Sequence, residues 1–260
     1  MKRLIINADD FGFTRDVNAG IIEAHRMGVL TSATLMANGD AFDDAVRLAH
    51  ETPTLDIGCH LVLVQGNSLL SGKSLPRGLG QLLLSVARGG LDLYTEMRLQ
   101  IKKILSEGIQ PTHLDTHKHT HLVPVIFRKV VRLAAEFRIP YVRLPLDSTV
   151  RIAGISPSAL ERLYRGIAAR SGVSLTDHFR GFRLTGSLTE QTFAEAIRNL
   201  PDGTTEFMCH PGKLGPELAH AETRLKESRV RELEALTSLR IRELMVESGV
   251  RLSPFCSSKE

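Results

Sequence analysis

Short apolar runs alternate along this chain with stretches in which apolar positions recur every three or four residues. The first kind reads as buried strands and the second as amphipathic helices. Strands are expected over 3–9, 30–36, 56–63, 112–117, 140–144 and 204–209. Helices are expected over 15–27, closed by Gly28, and over 41–50, 92–107, 124–137, 157–170 and 189–199, with a helical tail beyond. Residues 65–80, rich in Gly, Ser and Pro, read as a long loop of the kind that serves as a lid or substrate-binding segment. This alternation of strand and helix implies an α/β fold, either a mostly parallel sheet or a (β/α) barrel, in which functional residues gather at the carboxyl ends of strands. No fixed-period repeat and no linker divides the chain, so a single domain over 1–260 is expected.

Composition narrows the classes. Of 260 residues, 42% are hydrophobic and 24% charged, which excludes disordered, collagen-like and membrane-spanning chains. A core of this size is stable without disulfides or a structural metal, so any metal would serve chemistry. Lys plus Arg outnumber Asp plus Glu by 33 to 29, but the basic charge is not clustered. From Glu222 to Glu247, Arg224, Arg229, Arg231, Arg240 and Arg242 interleave with Glu227, Glu232, Glu234 and Glu243, the look of a solvated helical face. No nucleic-acid partner is expected. Cys59, Cys209 and Cys256 form no CxxC pair, which fits a reduced, cytoplasmic setting. After Met1-Lys2-Arg3 the apolar run Leu4-Ile5-Ile6 is too short for a signal peptide, and no run is long enough for a transmembrane segment.

Ionisable residues stand where strands end. Asp9 and Asp10 close the first apolar run, and two carboxylates there repel and desolvate unless a cation or a proton relieves them. The alternative is that one of them caps the following helix, although Thr14 and Asp16 lie closer to that task. In His113-Leu114-Asp115-Thr116-His117-Lys118-His119-Thr120-His121, strand alternation puts His113, Asp115, His117, His119 and His121 on one face as far as the strand lasts. A metal or acid/base site built from strand ends is the favoured reading. His60 and His210 each stand in an otherwise apolar strand, and neighbouring Cys59 and Cys209 read as small core residues. Gly66 to Ser74 superficially suggests a phosphate-binding loop, but five residues separate its glycines where four are required, and Pro76 interrupts the helix that should follow.

Taken in order, Asn7-Ala8-Asp9-Asp10-Phe11-Gly12, Gly58-Cys59-His60-Leu61, His113-Leu114-Asp115-Thr116-His117 with His119 and His121, and Cys209-His210-Pro211 resemble the YdjC-type carbohydrate deacetylases over nearly the whole chain. The resemblance implies a distorted TIM-barrel-like fold and divalent-metal-dependent removal of acetyl from an N-acetylated sugar. It implies Asp10, His60 and His117 as metal ligands, Asp9 as general base and His210 as proton donor. On spacing alone either aspartate could turn to the metal. Arg143 stands where the more distant polysaccharide deacetylases place an arginine that orients the base carboxylate. Asp115 is the candidate partner that fixes a histidine ring; His119 and His121 are candidate substrate or outer-sphere groups.

Two imidazoles suit Zn, Co, Ni, Mn or Fe(II) better than Mg, although the resemblance extends to magnesium proteins, so one Mg or Zn ion is the first expectation. The substrate expected is an N-acetylglucosamine-containing oligosaccharide or a glycolipid sugar, with loop 65–80 and segment 146–188 shaping its site. His117-Lys118-His119 and the His and Pro that follow resemble the hopanoid-associated branch of the family. Leu79, Leu82, Leu83 and Leu84 are read as a helix packing its core face in preference to an apolar lip. Two alternatives stand beside this: a hydrolase of another amide or a phosphoester, which His119 and His121 keep open, and a non-catalytic sugar- or metal-binding protein. A homodimer is expected from base rates and from the resemblance.

Overall fold

The computed structural model of the chain describes residues 1–146 and 156–256. The elements in chain order are β1 Lys2–Phe11, α1 Arg15–Arg26, β2 Ser32–Leu35, α2 Phe42–His50, β3 Asp56–Leu61, α3 Leu79–Ala87, α4 Leu93–Ser106, β4 His113–Thr116, α5 Pro124–Glu136, β5 Tyr141–Val142, α6 Pro157–Arg170, β6 His178–Arg180, α7 Glu190–Arg198, β7 Gly203–Cys209, α8 Pro216–His220, α9 Glu227–Thr237, α10 Leu239–Glu247 and β8 Val250–Leu252. Every expected strand and helix is present. The pairs β1–β7, β1–β8, β3–β4, β4–β5 and β6–β7 are parallel and the strands alternate with helices, an α/β fold consistent with the distorted TIM-barrel-like class. The residues group into two compact units, one of Met1–Thr34, Asp40–Asp56 and Thr176–Glu260, the other of Leu35–Gly39 and Ile57–Leu175.

In the first unit β1 runs parallel to β7 from Lys2 against Gly203 to Ala8 against Cys209, and parallel to β8 at Lys2–Leu4. β6 pairs with β7. A parallel strand is covered on both faces, so β1 carries an unbroken apolar run, with Leu4, Ile5, Ile6 and Ala8 buried. Helix α1 is capped by Thr14, whose Oγ1 accepts from the Val17 amide at 3.2 Å. The cap therefore leaves Asp9 and Asp10 for other work. Gly20 of α1 lies against the backbone of Gly212, where a Cβ would come within 2.4 Å; only glycine lets α1 settle on the turn that follows His210.

Helix α9 corrects one expectation. Its charges are not all solvated, because Arg229 and Glu232 are each 1% exposed and share the inward side with Leu233 and Leu236, while Arg231 and Glu234 face water. The spacing 229, 232, 233 and 236 is that of a buried helical face, and two ionisable residues stand within it.

In the second unit β3, β4 and β5 pair in parallel, with His60 beside Asp115 and His113 beside Tyr141. Gly58 makes room for His113, whose ring atoms would lie 2.4–2.6 Å from any Cβ there. Strand β4 ends at Thr116, because Lys118 (φ 54°) and His119 (φ 52°) are left-handed and the chain curls into a 3-10 turn over His117–Leu122. The common face expected for the histidines thus stops before His119 and His121. Loop 65–80 is ordered by a buried carboxylate: Glu96 of α4 accepts from the Ser68 hydroxyl at 2.6 Å and from the Leu69 and Leu70 amides at 3.0 Å. The reading of α3 as a core-packing helix is also corrected, since only Leu82 is buried and Leu79, Leu83 and Leu84 are exposed. Of segment 146–188, residues 147–155 lie outside the described residues. Among the described residues no helix is long and apolar enough to cross a membrane.

Candidate active site

The first unit contributes Asp9, Asp10 and His210. Asp9 stays in strand register, where Asn7 Nδ2 donates to its Oδ1 at 3.1 Å. Asp10 leaves that register: its φ of 69° lies in the left-handed region, which aspartate tolerates better than most residues. Both carboxylates are buried, at 2% and 4% exposure. Asp10 Oδ2 accepts from Arg229 Nη2 at 2.5 Å, with both side chains almost fully out of solvent. Arg229 is anchored in turn by Nε donating to the Leu225 carbonyl at 3.3 Å.

Pairing of Ala8 with Cys209 brings the next residue of β7, His210, to the level of Asp9. His210 Nε2 lies 4.0 Å from Asp9 Oδ2, and Nδ1 lies 4.0 Å from Glu232 Oε2. The Glu232 carboxylate also accepts from the His210 amide at 2.5 Å and from the Gly186 amide at 3.4 Å. Burial pushes the Glu232 carboxyl up to about 7, against the opposing pull of the His210 amide and the Arg229 charge. It therefore titrates near neutrality beside a histidine.

The second unit contributes His60, Asp115, His117 and Arg143. His60 is 1% exposed, and its Nδ1 lies 2.7 Å from Asp115 Oδ1. The other oxygen of Asp115 accepts from Arg143 Nη1 at 2.6 Å, and both of those side chains are fully buried. A carboxylate can only accept, so His60 carries its proton on Nδ1 and presents a lone pair at Nε2. That nitrogen lies 3.3 Å from His117 Nδ1, and His117 Nε2 lies 3.4 Å from Gln65 Oε1. An amide oxygen also only accepts, which puts the His117 proton on Nε2 and a second lone pair on Nδ1. His60 Nε2 and His117 Nδ1 thus face one another at a distance that a proton or a metal cation can bridge.

His121 spends both ring nitrogens locally, Nδ1 at 2.6 Å from Thr116 Oγ1 and Nε2 at 3.0 Å from the Arg143 carbonyl, and so ties the 3-10 turn to β5. His119 is half-buried, its ring 6.3 Å from that of His121. His113 is fully buried on Gly58, with Nδ1 at 2.9 Å from the Thr112 hydroxyl. Cys59 and Cys209 are buried free thiols, and burial pushes the Cys59 thiol well above its usual range. Asp9 and Asp10 of the first unit, and His60, Asp115 and His117 of the second, are each of a kind that can ligate a metal ion. Charge alternation along α9 hid Arg229 and Glu232 from a sequence reading; their spacing with Leu233 and Leu236 was the signal that marks them as inward.

A family model described as YdjC-like protein matches residues 3–247. A carbohydrate deacetylase of Brevibacillus brevis is 35% identical over 97% of this chain and 98% of its own length. A carbohydrate deacetylase of Geobacillus stearothermophilus is 37% identical over 95% and 94%. Among solved structures, an Enterococcus faecalis protein provisionally described as a cellobiose-phosphate cleavage protein superposes with a TM-score of 0.80 at 28% identity, covering 98% of this chain and 97% of that one.

Proposed function

The chain belongs to the YdjC-like family, and from that premise we propose that it is a carbohydrate N-deacetylase, a hydrolase of one catalytic domain that removes acetyl from an N-acetylated sugar with the help of one divalent metal ion. The observation that carries the reading is the His60 arrangement. Its Nδ1 is committed to Asp115, and its Nε2 converges with His117 Nδ1, which is how ligating histidines are oriented by a carboxylate behind them. Relatives named carbohydrate deacetylase supply the reaction class.

Asp10, His60 and His117 are the proposed metal ligands, a donor set of one carboxylate and two imidazoles that suits Zn, Co, Ni, Mn or Fe(II), and the resemblance, which extends to magnesium proteins, keeps Mg beside Zn as the expected ion. When bound, the ion supplies Lewis acidity toward the acetamide carbonyl and the attacking water. Asp9 is the proposed general base, its carboxylate aimed by Asn7. His210 is the proposed acid, delivering a proton to the departing amine nitrogen, which is otherwise too poor a leaving group. Glu232 fixes the backbone from which His210 projects. Arg143 orients carboxylates of the site, Asp115 through its ion pair and, as the resemblance implies, the base.

The proposed substrates are an N-acetylglucosamine-containing oligosaccharide or a glycolipid carrying that sugar, and the proposed setting is a cytoplasmic homodimer. Acetate release from a panel holding a soluble chitooligosaccharide, an acetylglucosaminyl lipid, an unrelated amide and a phosphoester tests the reading. Chelator-sensitive acetate release from one acetylated sugar supports it and selects between glycan and glycolipid. Turnover of only the unrelated amide or the phosphoester overturns it.

A further inference from the structure

Helix α3 departs from the rule that a surface helix turns polar residues to water. Its nine residues carry no charge, and Gln81 and Ser85 are its only polar side chains. Leu82 is fully buried and seats the helix. At 100° per residue, Leu79, Leu83, Ala87, Gly80 and Leu84 fall in order across an arc of about 140°. All five are exposed, the leucines by 45%, 40% and 50%, so the outward side is as apolar as the inward one. Leu70 on the preceding loop adds another side chain 45% exposed. Four of the twelve exposed large hydrophobic residues described thus lie between positions 70 and 84, a clustering that marks a contact surface rather than scattered apolar residues.

The charge along this segment has one sign. From Gly66 to Leu91 there is no Asp or Glu, whereas Lys73, Arg77 and Arg88 are present and all exposed. Arg77 precedes the N-cap Gly78 and Arg88 is the C-cap, so cations bracket both ends of the apolar arc. The next acids in sequence are Asp92, whose carboxylate caps α4 through the Tyr94 and Thr95 amides, and Glu96, buried under Ser68, Leu69 and Leu70.

We propose that α3 and the loop before it dock on an anionic lipid bilayer, with Leu70, Leu79, Leu83 and Leu84 entering the interface and Lys73, Arg77 and Arg88 meeting lipid phosphates. Leucine on the apolar side with Lys and Arg beside it is the composition of a segment that lies in the membrane plane. A second copy of the chain fits less well. A twofold contact through this face would bring its cations toward those of the second copy, with no acid between Gly66 and Leu91 to pair them. The inference concerns where the protein sits and does not rest on the deacetylase reading.

Sedimentation of the purified full chain with vesicles tests it, comparing phosphatidylcholine alone with phosphatidylcholine containing phosphatidylglycerol at low and high salt. The expected result is binding to the anionic vesicles that weakens with salt, since charges at the surface are screened. Arg77→Gln and Arg88→Gln should each weaken partitioning roughly fivefold, and the triple change Leu79→Ser, Leu83→Ser, Leu84→Ser should abolish it. These residues are exposed, and an unchanged circular dichroism spectrum confirms that each variant is folded. Absence of wild-type binding to anionic vesicles at low salt overturns the proposal, as does binding that survives the leucine changes. Dissociation of a wild-type oligomer by the leucine changes, with no vesicle binding, would assign the face to a second copy instead and equally overturns it.

Discussion

Arg229 Nη2 donates to Asp10 Oδ2 at 2.5 Å, joining two side chains that lie 219 positions apart and are both nearly excluded from water. An isolated carboxylate at that depth would take up a proton or leave the core. The guanidinium pairs with Asp10 and holds its carboxylate in one orientation, as the proposed role of metal ligand requires. Arg229→Ala should therefore destabilise the fold by about 3–5 kcal/mol, the usual consequence of leaving half of a buried ion pair. It should also weaken metal binding. Urea unfolding with and without added divalent ion checks both; a loss below 1 kcal/mol with unchanged metal affinity would contradict this role.

Glu232 gives a pH dependence whose sign is fixed by burial. Its carboxyl is raised from 4.5 to about 7 in the folded chain, so between those values the native state holds a proton that the unfolded state has released. Stability from this group is fully present below pH 4.5 and is lost as pH rises toward 7, by about 3 kcal/mol over the window. Glu232→Gln keeps an acceptor for the His210 amide and cannot ionise. The variant should lose this descending component, measured as the difference in unfolding free energy between the two chains from pH 4.5 to 7.5. A difference that does not change with pH would refute the assignment.

The proposed roles of His117 and Asp9 separate in a two-variant comparison. His117→Ala should lose metal and turnover together, whereas Asp9→Asn should keep the metal and lose turnover, by roughly 10²–10⁴-fold for a missing general base. Metal content after dialysis, read beside acetate release, decides this. Full activity in the first variant or an empty site in the second would reverse the assignment.

Asp115→Asn removes the negative acceptor behind His60 and leaves Arg143 facing a neutral amide. The expected cost is ~10–100-fold in metal affinity, typical for a carboxylate that orients a ligating imidazole. Calorimetric titration of metal into the stripped variant checks it; wild-type affinity would mean that Asp115 serves folding alone.

Much of this architecture is legible in the amino-acid order, and the reasons are local. Asp9, Asp10 and His60 interrupt or end largely apolar runs, where an ionisable residue has no place without a task, and His117 follows Asp115 where β4 ends. What escaped the sequence depends on burial from a distance. The alternating signs of α9 suggested a wet surface, and only packing shows that Arg229 and Glu232 turn inward while Arg231 and Glu234 turn out. The His-x-His-x-His run continues the alternation of β4 on paper, yet the left-handed pair Lys118 and His119 ends the strand at Thr116. Nothing in side-chain type announces that bend. For α3 the periodicity is that of a core helix, and the exposure of three of its four leucines can be seen only in space.

The most direct test of the account is acetate released from an N-acetylglucosamine oligosaccharide or glycolipid by metal-stripped protein, before and after one equivalent of divalent ion is restored, with His117→Ala run in parallel. The account predicts no release from the stripped chain, recovery on addition of the ion, and no recovery in the variant. Undiminished release after stripping, or equal recovery by His117→Ala, would contradict a metal-dependent deacetylase built on these residues.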